Sequence, residues 1–146
     1  KDSGFVGQLS LSYYTLAMIQ YDSGDLESAR SSTEQSLSAA EQSREMWTKG
    51  AASLLLGRIL GKQDVSKAAA AERDILRGMA ILEGLRIRPL QAQGHLILGE
   101  LWADMGRKKK ALQGLNEAAA AFKEMDMTYW LRRTQQILSS HPALRP

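Results

Sequence analysis

Small side chains return at fixed intervals along this chain, and that recurrence constrains the fold more than any other feature. Leu16-Ala17, Leu56-Gly57 and Leu98-Gly99 each set a large apolar residue before a small one, at spacings of 40 and 42 residues. Ala29, Ala71 and Ala111 follow at spacings of 42 and 40. Gly24 and Gly106 stand seven residues after Ala17 and Gly99, in Ser-Gly-Asp and Met-Gly-Arg. The middle copy reads Gly61-Lys62-Gln63-Asp64-Val65 at that place, which predicts a turn about two residues longer. A period in this range marks supersecondary units that stack on one another.

Between these marks the apolar residues recur at three and four, the spacing of one helix face. First helices run through Leu9, Tyr13, Leu16, Ala17 and Gln20, through Leu54, Leu55, Ile59 and Leu60, and through Leu96, Leu98, Leu101, Trp102 and Met105. Second helices run through Leu26, Ala29, Thr33, Leu37 and Ala40, through Ala71, Ile75, Gly78, Met79 and Leu82, and through Ala111, Leu115, Ala118, Ala119 and Phe122. Composition agrees. The 21 Leu and 19 Ala are strong helix formers, Val, Ile and Thr together number 14, and Pro occurs only at 89, 142 and 146.

Helices are expected at about 4–22, 26–42, 44–61, 66–85, 89–105, 108–125 and 128–139. Asp25 is placed to cap the second, Asp64 or Ser66 the fourth, and Asp126 or Thr128 the last, while Pro89 suits a helix start. Ser-Ser-His-Pro ends the last helix. Ala17, Gly57 and Gly99 mark the points where the paired helix comes closest, as do Ala29, Ala71 and Ala111. One hairpin cannot bury both of its faces, so hairpins must stack. A heptad bundle would need a sustained seven-residue repeat that is missing here. The expected fold is therefore an all-α solenoid of three stacked helical hairpins, about 9–42, 44–85 and 89–125. A capping helix at 128–139 closes it, all within one domain spanning 1–140, and 141–146 is left as a tail.

Several functions are excluded or disfavoured. With no Cys, a disulfide framework, a thiolate metal site and a cysteine nucleophile are ruled out. The net charge of +3 falls short of a nucleic-acid footprint, and Trp47, Trp102 and Trp130 fall at packing positions rather than on a stacking platform. Arg107-Lys108-Lys109-Lys110, the densest basic run, sits in a turn entering a helix and reads as a solvated face. The two histidines, His95 and His141, lack a second nitrogen spaced for zinc, and His95 stands at a packing position. Gly57-Arg58-Ile59-Leu60-Gly61-Lys62 has the wrong interval for a phosphate loop, and Gln63 replaces its hydroxyl. No metal, no cofactor and no enzyme activity are expected of this segment. Met79 and Met105 read as core filling. There is no signal-like or membrane-length apolar run, which predicts a cytoplasmic location without membrane contact. A start at Lys1 rather than Met predicts a piece of a longer polypeptide.

At these residues the chain resembles the tetratricopeptide repeat family. The third copy matches best, through His95, Leu98-Gly99, Trp102, Gly106, Ala111, Leu115 and Ala118; the first matches through Tyr13, Leu16-Ala17, Gly24, Ala29 and Leu37, and the second through Leu56-Gly57, Ala71, Ile75 and Gly78. The resemblance covers roughly residues 9 to 125. The period of 40 to 42 is similar to longer repeats in the C-terminal sensor regions of bacterial ATPase-linked transcription regulators and class III nucleotidyl cyclases. Leu85-Arg86-Ile87-Arg88-Pro89-Leu90 and the stretch from Phe122 to Trp130 look like such regions.

The resemblance implies a right-handed superhelix whose first helices line a groove for a protein or peptide partner. Its groove positions fall on Leu11, Tyr14, Met18 and Tyr21, on Ala51, Leu54 and Arg58, and on Gln93, Leu96, Ile97 and Glu100. Of these, Tyr14, Met18, Tyr21, Arg58, Gln93 and Glu100 are the candidate partner-binding residues. The family's clamp for acidic chaperone tails is absent, since its places carry Tyr14, Met18, Leu55, Gln93 and Ile97. The expected function is protein–protein interaction or scaffolding within a larger bacterial signalling or regulatory protein. An alternative is a ligand-sensing domain that controls an attached cyclase, ATPase or DNA-binding domain. Phe5, Val6 and Leu9 predict self-association through the exposed N-terminal repeat face.

Overall fold

A computed structural model describes residues 3–145, with side chains from Gln8 onward. Phe5 and Val6, assigned above to an apolar N-terminal face, lie outside the described side chains. Among the described residues the regular structure is helical throughout, with no strand. The helices are α1 (Ser3–Asp22), α2 (Leu26–Ser43), α3 (Met46–Gln63), α4 (Ala68–Gly84), α5 (Arg88–Asp104), α6 (Lys108–Glu124) and α7 (Thr128–Ser140). Short 3₁₀ turns occur at Val65–Lys67 and Pro142–Leu144. The chain divides into two compact units, Lys1–Leu85 and Arg86–Pro146. In the first, α1 packs on α2, α2 on α3 and α3 on α4, and α1 also touches α3. In the second, α5 packs on α6 and α6 on α7. The architecture is an all-α repeat of helices packed in chain order.

The turns repeat as regularly as the helices. Gly24 (φ 88) and Gly106 (φ 78) take the left-handed conformation that glycine adopts without steric cost. Arg44, Arg86 and Asp126 take it too, at φ 58, 58 and 56. After Gly24, Arg44, Gly106 and Asp126, the next backbone N–H returns to the carbonyl five residues earlier: Asp25 to Gln20, Glu45 to Ala40, Arg107 to Trp102 and Met127 to Phe122. That bond closes the helix end and reverses the chain within three residues. The left-handed residues at 24, 44, 86, 106 and 126 stand 20 apart, except for the 42 between Arg44 and Arg86. The surplus is the longer turn expected from the sequence. There Asp64 is extended (φ −154) and its carboxylate accepts from Ser66 N–H (2.9 Å) and Oγ (2.7 Å), holding a 3₁₀ turn open before α4.

Other local signals land as follows. Asp25 caps α2, its Oδ1 accepting from Ser28 N–H at 3.1 Å, and hydrogen bonding by the Ser28 side chain first and its backbone second holds the carboxyl below its usual range. Pro89 lies in the first turn of α5. The expected caps at Asp126 or Thr128 are not formed. Asp126 is used as the left-handed turn residue and Thr128 is already helical, so Met127 precedes α7 with no side-chain bond. Lys67 likewise precedes α4, because Asp64 is spent on the 3₁₀ turn.

The small residues sit where helices come closest. Ala17, Ala29, Ala71 and Ala111 are fully buried. A Cβ on Gly57 would stand 2.5 Å from Ile75 Cγ1 and 2.7 Å from the Ala71 carbonyl oxygen; one on Gly99 would stand 2.8 Å from Leu115 Cγ. Gly78 meets the Gly50 carbonyl oxygen at 2.6 Å in the same sense, a close approach of α3 and α4 for which the repeat marks gave no sign at Gly50. In the first hairpin hydroxyls join the helices instead. Ser36 Oγ donates to the Ser10 carbonyl (2.8 Å) and Ser32 Oγ to Gln20 Oε1 (2.7 Å), so these buried polar groups are satisfied.

The second unit closes around Leu115, Ala118 and the fully buried Phe122, whose ring stacks on Trp130 with centroids 6.0 Å apart. Residues 141–145, within the segment left as a tail by the sequence, pack on this unit: Leu144 is buried in its core. His141 anchors it. Its Nδ1 accepts from Ala143 N–H (3.1 Å), which puts the ring proton on Nε2, 2.7 Å from Asp104 Oδ1. Met79 and Met105 are half-buried at the margins rather than in the core.

The glycine contacts predict opposite outcomes for one kind of substitution. Gly57→Ala should destabilise the first unit by about 1–3 kcal/mol despite alanine's higher helix propensity, because Ile75 and a backbone carbonyl occupy the space. Gly84→Ala, with nothing within 4 Å, should be neutral or stabilise by up to about 1 kcal/mol. Urea unfolding of both variants checks the pair; equal effects would remove the packing account.

Candidate functional site

The site grows from the spacing of α1. Ala17 is fully buried against Ala29, which lets α2 approach and turns the neighbouring side chains toward α3. Tyr14 and Tyr21, at i and i+7, flank Ala17 on that side and pack on the cluster formed by Ala17, Ala29, Leu55 and Ile59. Met18 lies one turn after Tyr14 at the outer edge of this face, 40% exposed, and Leu11 lies two turns before Met18, 44% exposed. From α3, Arg58 reaches across between Gly57 and Ile59. Its guanidinium carbon lies 4.6 Å from the centroid of the Tyr21 ring.

This contact is a cation on an aromatic face, worth about 0.5–1 kcal/mol where exposed and up to ~2 where water is excluded. Water is partly excluded here. Arg58 is half-buried, and its Nε is shielded from solvent with no hydrogen-bond partner among the described residues. Burial pushes the Tyr14 phenol above its ordinary 10.0, and the positive charge of Arg58 pulls it back by less. The arrangement thus holds a planar cation over the Tyr21 ring, close enough to the Tyr14 phenol for its charge to be felt there, on a helix that also exposes apolar side chains.

Four of the six candidate residues, Tyr14, Met18, Tyr21 and Arg58, therefore share one face of the first unit. Gln93 and Glu100 do not join them there; both are half-buried on α5, in the second unit, two turns apart on one side of that helix. Other groove positions are interior. Ala51, Leu54, Leu96 and Ile97 are all buried, so the pattern's places on α3 and α5 serve packing more than binding. Apolar character was the available signal, since four hydrophobic positions suit a core better than a wet groove.

Residues outside the candidate set also matter. Leu16 (43% exposed) and Ile19 (62% exposed) leave more apolar surface on α1. Ile59, 40 positions after Ile19 and so its counterpart in the repeat, is fully buried beneath the first hairpin. The basic run is engaged within the second unit: Lys108 Nζ donates to the Arg145 carbonyl (3.3 Å), and Lys110 Nζ sits 5.4 Å from the Trp102 ring centroid. His95 Nδ1 lies 3.4 Å from Glu117 Oε2, across α5 and α6. Among the described residues, no three His, Asp or Glu side chains gather as a metal-holding group, and no helix is long and apolar enough to cross a membrane.

No family model matches the chain, and no curated protein or solved structure matches it.

The raised phenol gives a pH dependence of definite sign. The folded state holds the Tyr14 proton more tightly than the unfolded chain, so the stability tied to it is complete below pH 10 and falls as pH rises through the folded value. Tyr14→Phe should remove that part of the alkaline loss. Stability measured by urea unfolding between pH 9 and pH 11 checks this (roughly the range over which tyrosine titrates); an identical slope in the variant would count against it.

Proposed function

We propose that this chain is a protein-interaction module and that its partner docks on the face α1 and α3 share in the first unit. The observation that supports this best is the convergence of Tyr14, Met18, Tyr21 and Arg58 there, with Met18 and Leu11 open to solvent. Tyrosine, arginine and methionine are the residue types that interfaces favour over ordinary surface. A rigid arginine stacked on a tyrosine has little freedom left to lose on binding.

Both histidines are held in contacts within the second unit, His95 with Glu117 and His141 with Asp104 and Ala143, which supports a binding role over a catalytic one. On this reading the chain is a tetratricopeptide-like scaffold that serves a larger bacterial signalling protein in the cytoplasm. The hairpin period and the close-packed small residues are what support the likeness.

Site-specific photocrosslinking tests the docking face. A benzophenone side chain at position 18, exposed on α1 one turn after Tyr14, should give adducts in cell lysate that excess unlabelled protein suppresses and that Tyr14→Ala weakens. The same probe at Glu27, exposed on α2, should not give them. Identical adducts from both positions would remove the face from consideration.

A further inference from the structure

The α1/α3 face carries a positive charge, Arg58, that joins none of the ion pairs among the described residues of its unit. The ion pairs described there join Arg30 to Glu34, Lys49 to Glu41 and Arg77 to Asp74. Arg58 is held by the Tyr21 ring, and its Nε has no hydrogen-bond partner among the described residues. Structures usually pair a cation that has been partly withdrawn from water, because its hydration is lost and its attraction for an anion grows as the local dielectric falls. With Nε shielded, the terminal Nη groups of the guanidinium over the Tyr21 ring are the donors left for a carboxylate.

The apolar surface on the same helix as Tyr21 limits the kind of ligand. Leu11 and Met18 are seven residues apart on α1, so their exposed side chains are separated by about 10 Å along the helix. A ligand that covers both and also reaches Arg58 must be extended and must carry apolar groups at helical or strand-like intervals. A single guanidinium matches the one charge of a carboxylate, whereas a phosphate dianion calls for further cations.

We propose that the partner segment is an acidic amphipathic peptide, with one carboxylate paired to Arg58 and its apolar side chains lying on Leu11 and Met18. This rests on the docking face described above and adds the chemistry of what docks.

Fluorescence anisotropy distinguishes the two levels. Two fluorescein-labelled peptides share Leu at every third or fourth position and differ only in having Glu or Gln between them. The Glu peptide should bind about tenfold more tightly at low salt, the gain expected of a charge-assisted bidentate pair. That preference should vanish in Arg58→Met, which keeps an apolar stem against Tyr21, and survive in part in Arg58→Lys. Met18→Asp should weaken both peptides. Equal binding of the two peptides by the unmodified protein, or an undiminished preference in Arg58→Met, overturns the acidic partner while leaving apolar docking in place. Unchanged affinity in Met18→Asp overturns the placement on α1, and binding of neither peptide overturns the docking face as well.

Discussion

Backbone contact between paired helices is the constraint on which the rest depends. Gly57 lies against Ala71 and Ile75, Gly78 against the Gly50 carbonyl, and Ala17 against Ala29. At such distances a helix has no room for side chains along its line of closest approach, so large residues are forced to the flanks. Tyr14 and Tyr21 are flanking residues in this sense: they stand either side of Ala17 and so meet α3. The binding face is therefore a by-product of tight hairpin packing. Its aromatic rings lie where they do because the space between them and α2 is already filled by alanine.

The first hairpin solves the same problem differently from the second. Where α3 and α4 meet through glycines and aliphatic side chains, α1 and α2 use buried hydroxyls, Ser36 on the Ser10 carbonyl and Ser32 on Gln20. Each such bond contributes on the order of 1 kcal/mol net, and its directionality fixes how the helices slide past one another. Sliding matters here because the stack of Arg58 on Tyr21 tolerates little displacement of α1 along its axis.

Much of this was legible in the sequence because it is local. Gly24 and Gly106, Asp25 and Pro89 act within a few residues of themselves, and the helices begin and end where those residues say. The two extra residues in the middle turn were visible as an offset in spacing. Misread features were those decided by competition or by distance. Asp126 has two local uses, and the left-handed turn took it from the cap. Ala51, Leu54, Leu96 and Ile97, left out of the candidate set, are apolar and buried, as side chains of that kind at packing positions are. Leu144 joined the core because an apolar side chain at a chain end is drawn to any uncovered surface nearby. Arg58 and Tyr21 are 37 residues apart, and only the register of α1 against α3 brings them together.

The short turns have a consequence for how the chain can change. Reversals of two to four residues keep nearly every contact within a unit between helices that are neighbours in sequence, so little loop entropy is spent in forming them. Proteins built from such local contacts fold quickly and tolerate change one segment at a time. Leu11 and Met18 lie outside the buried stripe that fastens α1 to its hairpin. Mutation can therefore rewrite what this surface recognises while the scaffold beneath it stays in register.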